Sequence, residues 1–225
     1  SGMSVEKLWD IGRKASLRYA TNDVNAIGLI RLITAERLFS SSRMEDFINT
    51  SIGDMQFSDL RIPFACVAMD IRTGAKVVFE DGDVGLAVRA SMNIPGMFEP
   101  VRYRHYELVD GGVIDNVPVD VAKKMGADWV FTSLIQGDLS KTSFNTVYAY
   151  LMQVMDVRGS ILVQDEIRDS NFILRPPVGH INFVAFEKAY YAGRTGLEEA
   201  YRHIDEAKDN VMLFSMDSIY GAYAR

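Results

Sequence analysis

The residues that could do chemistry lie in the stretch 106–118. There an apolar run ends at an acidic residue, which is followed directly by two glycines. The run Tyr106–Val109 is typical of a buried strand, which would deliver Asp110 to its C-terminal end. Gly111 and Gly112 have the backbone freedom that lets a second backbone or a substrate come close, so we assign both to substrate contact. In α/β sheets, functional sites lie at the C-terminal ends of strands, so Asp110 lies where such a fold would hold a site. The alternative is a plain strand-to-helix turn with Asp110 as a local cap.

The elements around this stretch are predicted to be buried strands alternating with helices. Pro118 suits the first turn of a helix over 119–125, and Gly126 suits its C-cap. The runs Pro63–Ile71 and Trp129–Ile135 are continuously apolar, as strands of a parallel sheet are. A turn at 72–74 makes the first of these runs a hairpin with Ala75–Glu80.

Most of the remaining chain is predicted to be helical. Residues 20–41 could form either a helix or a strand. Ser4, the capping box at 42–45 and Asp83 each favour a helix start, and Gly53 favours an end. Helical spacing also predicts helices over 143–168 and 186–208, the second interrupted by Gly193 and Gly196, and a short strand over 172–174.

Alternation of strand and helix predicts one α/β domain over residues 1–225. The sheet is expected to be parallel or mixed. Strands 63–71, 106–109 and 129–135 should lie in it together, with Asp110 facing a cleft.

Composition and motifs exclude several classes of function. The net charge is −6 and no basic run occurs, which argues against nucleic acid as a partner. No glycine-rich dinucleotide or phosphate loop is present, and the three histidines are far apart, so no cofactor and no metal is expected. Cys66, the single cysteine, reads as a buried small hydrophobe and fits a reducing compartment such as the cytoplasm. No apolar run approaches the roughly 20 residues of a membrane-spanning helix.

Two neighbouring motifs together resemble the C-terminal half of a patatin-like phospholipase. Residues 90–101 read Ala-Ser-x-x-Ile-Pro-Gly-x-Phe-x-Pro-Val, and residues 110–119 read Asp-Gly-Gly followed by Asn-x-Pro-Val. Residues 62–74 resemble the family's preceding hairpin, and 186–207 resemble the closing helix of bacterial members. The elements occur in order and at the family's spacing, so the resemblance covers most of the chain.

The resemblance implies a fold and a mechanism. The fold is a three-layer α/β/α sandwich with a mostly parallel sheet, here without its N-terminal strands. The family uses a Ser–Asp dyad without histidine, with the serine in Gly-x-Ser-x-Gly on a sharp strand-to-helix turn and a glycine-rich loop as oxyanion hole. Asp110 would take the serine's proton, and a desolvated pocket would raise its pKa toward neutrality.

The chain departs from the family because it contains no Gly-x-Ser-x-Gly. Residues 1–4, Ser-Gly-Met-Ser, resemble the end of the family's nucleophile helix, so we expect this chain to start just after that helix. The rival interpretation takes Ser1-Gly2 as a cloning scar before a native Met3. An in-frame nucleophile motif encoded upstream would favour the first interpretation, and a start codon at Met3 the second.

Two functions remain in competition. The first is a fragment of a lipid acyl hydrolase that supplies the catalytic Asp but not the Ser, and acts on a phospholipid or another acyl ester. Met97 and Phe98 would then touch the membrane surface peripherally, or else pack in the core. The second is a non-catalytic lipid- or partner-binding protein on the same fold. Without the upstream strands, we expect the sheet to have an uncovered edge and an exposed apolar face, covered by the missing N-terminal segment or by a homo-oligomer.

Overall fold

The computed structural model describes residues 2–11, 40–137, 139–141, 147–181 and 188–223. Most of the stretch 20–41, and the predicted starts of the last two helices at 143 and 186, lie outside these ranges. The elements in chain order are α1 (5–11), α2 (Ser42–Ile52), β1 (Cys66–Asp70), β2 (Lys76–Phe79), α3 (Val84–Ser91), β3 (Val101–Tyr103), β4 (Tyr106–Asp110), α4 (Val119–Lys124), β5 (Phe131–Ser133), α5 (Val147–Glu166), β6 (Phe172–Leu174) and α6 (Ala189–Tyr223).

Strands β1 to β4 form an antiparallel sheet in the order β2-β1-β4-β3. The predicted hairpin of β1 and β2 is confirmed, with Cys66 opposite Phe79. The expectation that β1 is a parallel strand is wrong. Consecutive residues Cys66, Val67 and Ala68 are all buried, which shows that both faces of β1 are covered. Burial on both faces gives a continuous apolar run whatever the strand direction, so the sequence pattern could not distinguish the two.

A second, two-stranded sheet pairs β5 with β6 in parallel, with Phe131 opposite Phe172. Helix α5 makes the crossover between them, as a parallel pair requires. Among the described residues, β5 therefore lies apart from β1 and β4, and the expectation of one common sheet is wrong. The α/β class holds, whereas the mostly parallel sandwich is not confirmed.

The main core lies between the antiparallel sheet and helix α3. Ala68, Ala87 and Leu108 have no solvent exposure at all, and Cys66 is buried beside them. Burial raises the pKa of the Cys66 thiol to about 12, so this cysteine is the inert hydrophobe that the sequence predicted. Smaller apolar clusters, around Val163 and around Phe172, join the second sheet to α5 and α6.

Some helix ends follow the predicted signals and others do not. Asp83 caps α3 through Oδ1, which accepts the Leu86 N–H at 2.6 Å, and Gly53 ends α2 in the left-handed conformation. The capping box predicted at 42–45 is wrong. Ser41 is the N-cap residue of α2, and its side chain makes no capping hydrogen bond. The Ser41 hydroxyl instead donates to Asn93.

Helix α6 is continuous over 35 residues, so the interruption predicted at Gly193 and Gly196 is wrong. A Cβ on Gly193 would lie 2.6 Å from Cη2 of Trp9 in α1. The Trp9 ring also packs edge-on against Tyr190, at a centroid distance of 5.6 Å. Gly193 is therefore explained by close contact with an aromatic ring, which helix-breaking propensity alone does not reveal.

Helix α5 presents an apolar stripe to solvent. Its exposed side chains recur at helical spacing and are Val147, Leu151, Val154, Val157 and Ile161. An exposed apolar stripe of this length is typical of a surface that another polypeptide covers. None of the described helices is both long and apolar enough to cross a membrane.

We expect residues 1–225 to self-associate at micromolar concentration unless a second polypeptide covers this stripe. Replacing Val154 and Ile161 together by lysine should reduce the association, because a charged side chain resists desolvation. Light scattering measures both, and Gln164→Lys on the same helix is the matched control. A monomeric wild-type chain with no bound peptide would contradict the expectation.

Candidate active site

Asp110 ends β4 and is fixed by its backbone on two sides. It pairs with Ala68 of β1 in the antiparallel register. Its N–H donates to the carbonyl oxygen of Asn93 at 3.0 Å. The strand-end position that the sequence predicted for Asp110 is therefore the one found, and two neighbouring segments fix it.

The turn after Asp110 holds the side chain as well. Residues Gly111–Val113 form one turn of 3-10 helix, and the N–H of Gly112 donates to Asp110 Oδ1 at 2.8 Å. The N–H groups of Ile114 and Asp115 both donate to the carbonyl of Gly111. Among the described residues, Gly112 is the one hydrogen-bond donor to the Asp110 carboxylate, which leaves it capacity to accept a further proton donor.

Gly111 allows the turn to lie directly against β1. A Cβ at this position would be 2.2 Å from the carbonyl oxygen of Val67, and a main-chain atom cannot rotate away. At Gly112 the added carbon would approach a side-chain atom, Asn116 Oδ1, at 3.0 Å. Gly111 thus serves close backbone packing and Gly112 serves carboxylate binding, while the substrate contact expected of both stays a prediction.

Burial dominates the electrostatics of Asp110. The side chain is half-buried, and desolvation raises its pKa above the usual range for a carboxyl, while the Gly112 N–H opposes this in part. A carboxylate with a raised pKa is a stronger base than a solvated one. No described cation forms an ion pair with it.

Asp115, the other acid of the motif, differs from Asp110 because a cation is paired with it. It is buried and forms an ion pair with Lys76 of β2 at 2.8 Å. Lys76 also contacts Asp120 of α4, and hydrogen bonds from Lys124 and Lys76 lower the pKa of Asp120 to about 2. These pairs tie the segment after the turn to the edge of the sheet, so Asp115 is committed to structure.

Three residues that hold the segment around Asp110 were not singled out from the sequence. They are Lys76, Asn93 and Glu166, whose Oε2 accepts the Val117 N–H at 3.0 Å. The partners of Lys76 and Glu166 lie 39 and 49 positions away in the chain, so no local pattern marks them. Asn93 lies inside the 90–101 motif, and its amide within an apolar stretch was the available signal.

The two loop residues expected at a membrane surface differ in their burial. Met97 is buried, which favours the core-packing alternative for this residue, and Phe98 is half-buried. The described residues contain no group of three or more His, Cys, Asp or Glu side chains that could hold a metal ion. The Asp110 carboxylate is desolvated, and its raised pKa makes it able to accept a proton.

The chain is similar to several known proteins over part of its length. The chain is 38% identical over 93 residues to mouse patatin-like phospholipase domain-containing protein 7, an overlap of 40% of this chain and 7% of that protein. With human patatin-like phospholipase domain-containing protein 6, identity is 35% over 112 residues, or 48% of this chain and 8% of that protein. An uncharacterised NTE family protein of Mycobacterium tuberculosis is 29% identical over 125 residues, or 56% and 32%.

The chain spans less than a third of each of these relatives. The family model for patatin-like phospholipases matches residues 4–123, more than half of the chain and a range that contains both motifs and Asp110. The chain therefore belongs to the patatin-like phospholipase family.

Proposed function

We propose that this chain carries the general base of a lipid acyl hydrolase, with Asp110 in that role. Patatin-like phospholipases are lipid hydrolases with a Ser–Asp dyad, and residues 1–225 contain the motif of the Asp but no Gly-x-Ser-x-Gly. The nucleophile and the oxyanion hole would come from a segment outside these residues. The substrate would be a phospholipid or another acyl ester.

The observation that carries the proposal is the environment of the Asp110 carboxylate. It has one described hydrogen-bond donor, no described ion pair and a pKa raised by burial, whereas Asp115 and Asp120 are both paired with lysine. A carboxylate used only for structure is usually paired or hydrogen-bonded more fully. A carboxylate with a perturbed pKa and few hydrogen-bond partners is a functional candidate for this reason.

The proposed reaction has two halves, acylation of the serine and hydrolysis of the acyl-serine ester, with two proton transfers in each. Asp110 accepts the serine Oγ proton as Oγ attacks the ester carbonyl, and the protonated Asp110 then returns that proton to the departing alcohol. The acyl group remains on the serine as an ester. Asp110 next takes a proton from water, whose oxygen attacks the acyl carbon, and returns it to the serine Oγ as the fatty acid leaves.

A non-catalytic lipid- or partner-binding role is the second candidate, and the missing nucleophile motif in residues 1–225 favours it. Sequence encoded upstream discriminates between the two. A Gly-x-Ser-x-Gly in frame supports the hydrolase, and a start at Met3 supports the binding protein.

The 225-residue chain alone should take no label from a serine-directed fluorophosphonate and should hydrolyse no ester. None of its serines lies in a nucleophile-elbow motif, so none is expected to be activated. Joining a segment with Gly-x-Ser-x-Gly upstream should give both labelling and hydrolysis. Turnover of a lipid ester by the chain alone would contradict the proposal.

In the joined protein, Asp110→Asn should lower kcat by about 10²–10⁴-fold or more, because an amide cannot accept the serine's proton. Asp70→Asn is the matched control, since Asp70 is a buried strand-end acid of the same sheet whose carboxylate binds the Thr73 hydroxyl and the Glu107 N–H. Steady-state kinetics on a soluble acyl ester measures both. Similar losses of kcat in the two variants would contradict the assignment of Asp110 as the base.

Stability should respond to the same two substitutions in opposite ways. Folding raises the pKa of Asp110, so its contribution to stability is present at low pH and is lost as pH rises through the folded pKa. At neutral pH, Asp110→Asn should therefore unfold at an equal or higher urea concentration than the wild type. Hydrogen bonds, chiefly from Thr73, lower the pKa of Asp70, so its contribution is present above the unfolded pKa, and Asp70→Asn should unfold earlier. Urea titrations at about pH 4 and pH 7 measure the difference.

The outcome that contradicts this prediction is equally direct. If Asp110→Asn destabilises the chain at pH 7 as much as Asp70→Asn does, then the Asp110 carboxylate is a structural group.

A further inference from the structure

We propose that the buried side chains of Asn93 and Ser41 form a positioning network for Asp110. This inference rests on the proposed role of Asp110 as the base. Neither residue is proposed to touch the substrate. Their effect would pass to the carboxylate through the backbone of Asp110.

Asn93 makes hydrogen bonds in three directions from a position with no solvent exposure. Its Oδ1 accepts the Ser41 hydroxyl at 2.6 Å, and its Nδ2 donates to the carbonyl of Glu99 at 3.0 Å. Its own carbonyl oxygen accepts the Asp110 N–H at 3.0 Å. The amide side chain thus fixes the orientation of the same residue whose main chain holds Asp110.

Ser41 anchors this arrangement to the helices. Its hydroxyl donates to Asn93 and accepts from Arg89 Nε at 3.0 Å, so both of its hydrogen-bonding functions are used. Arg89 in turn forms an ion pair with Glu45 of α2 at 2.8 Å. The hydroxyl at the N-cap position of α2 therefore serves Asn93 and does not cap its own helix.

The network continues the sheet edge where β3 stops. Strand β3 pairs with β4 from Tyr106 as far as Leu108, opposite Val101. The residue before Val101 is Pro100, which has no N–H to extend the ladder. Beyond that point the Asn93 carbonyl accepts the Asp110 N–H, and the Asn93 amide holds the Glu99 carbonyl.

A buried amide is costly unless it is fully hydrogen-bonded, and an apolar residue would fill a packed core more simply. A satisfied buried polar group fixes one arrangement, because other arrangements leave it unpaired. At this place the arrangement that it fixes is the end of β4. A purely structural role predicts only a loss of global stability when Asn93 is changed, whereas a positioning role predicts a local change at Asp110.

The test uses the 225-residue chain and two NMR readouts at Asp110. Asn93→Leu keeps the approximate volume but removes both amide hydrogen bonds. We expect the Asp110 amide to exchange with solvent about tenfold faster than in the wild type. We also expect the pKa of the Asp110 carboxyl, measured by carbon-13 titration, to fall toward its ordinary value as water reaches the strand end. Asn93→Asp, which keeps the acceptor for Ser41, should give an intermediate exchange rate.

Thr132→Val is the matched control. Thr132 is a buried residue of the second sheet whose hydroxyl hydrogen-bonds to Ser170 at 2.6 Å, so its loss should destabilise the chain without changing either readout at Asp110. Equal effects of Asn93→Leu and Thr132→Val at Asp110 would overturn the proposal. Unchanged exchange and pKa in Asn93→Leu would overturn it as well.

Two further measurements decide the matter if Asn93→Leu does not fold. Ser41→Ala removes a single hydrogen bond and should move both readouts in the same direction by less. In the wild-type chain, a coupling across the hydrogen bond from the Asp110 nitrogen to the Asn93 carbonyl carbon should be observed, and its absence would overturn the proposal. None of these readouts involves turnover, so the network can fail while Asp110 remains the base, and the base role can fail while the network stands.

Discussion

The close approach of the Gly111 backbone to the Val67 carbonyl is the constraint on which the site depends. A side chain at Gly111 would collide with a main-chain oxygen of a buried strand, so no rotamer change could relieve it. With this contact in place, the chain turns immediately after β4, and the Gly112 N–H comes within hydrogen-bond distance of Asp110. The position of the carboxylate therefore follows from backbone packing before any side-chain interaction is considered.

Three acids in and after the sheet, Asp70, Asp110 and Asp115, lie in different environments. Asp70 accepts hydrogen bonds that lower its pKa, and Asp115 forms a buried ion pair with Lys76. Asp110 has desolvation as its dominant influence, and its pKa is raised. Carboxylates that are ion-paired or hydrogen-bonded on several sides hold structure together, whereas a desolvated carboxylate with a raised pKa is suited to take a proton.

The sequence predicted what depends on local chemistry. The strand before Asp110, the hairpin of β1 and β2, the Asp83 cap and the Gly53 terminus follow from nearby residue types, and all are found. Strand direction could not be predicted, because burial on both faces of β1 gives the same apolar run in parallel and antiparallel sheets. The Ser41 side chain was also beyond local reasoning, because its partner Asn93 lies 52 positions away.

The hydroxyl of Ser41 illustrates how tertiary structure overrides a local rule. An N-cap serine ordinarily accepts an N–H of its own helix, which typically contributes about 1 kcal/mol. Here that interaction is absent, and the hydroxyl joins Arg89 to the buried amide of Asn93. Positions where a favourable local interaction is given up for a distant one are where functional constraint is expected. Through Asn93, the hydrogen bonds of Ser41 lead to the backbone of Asp110, the candidate base.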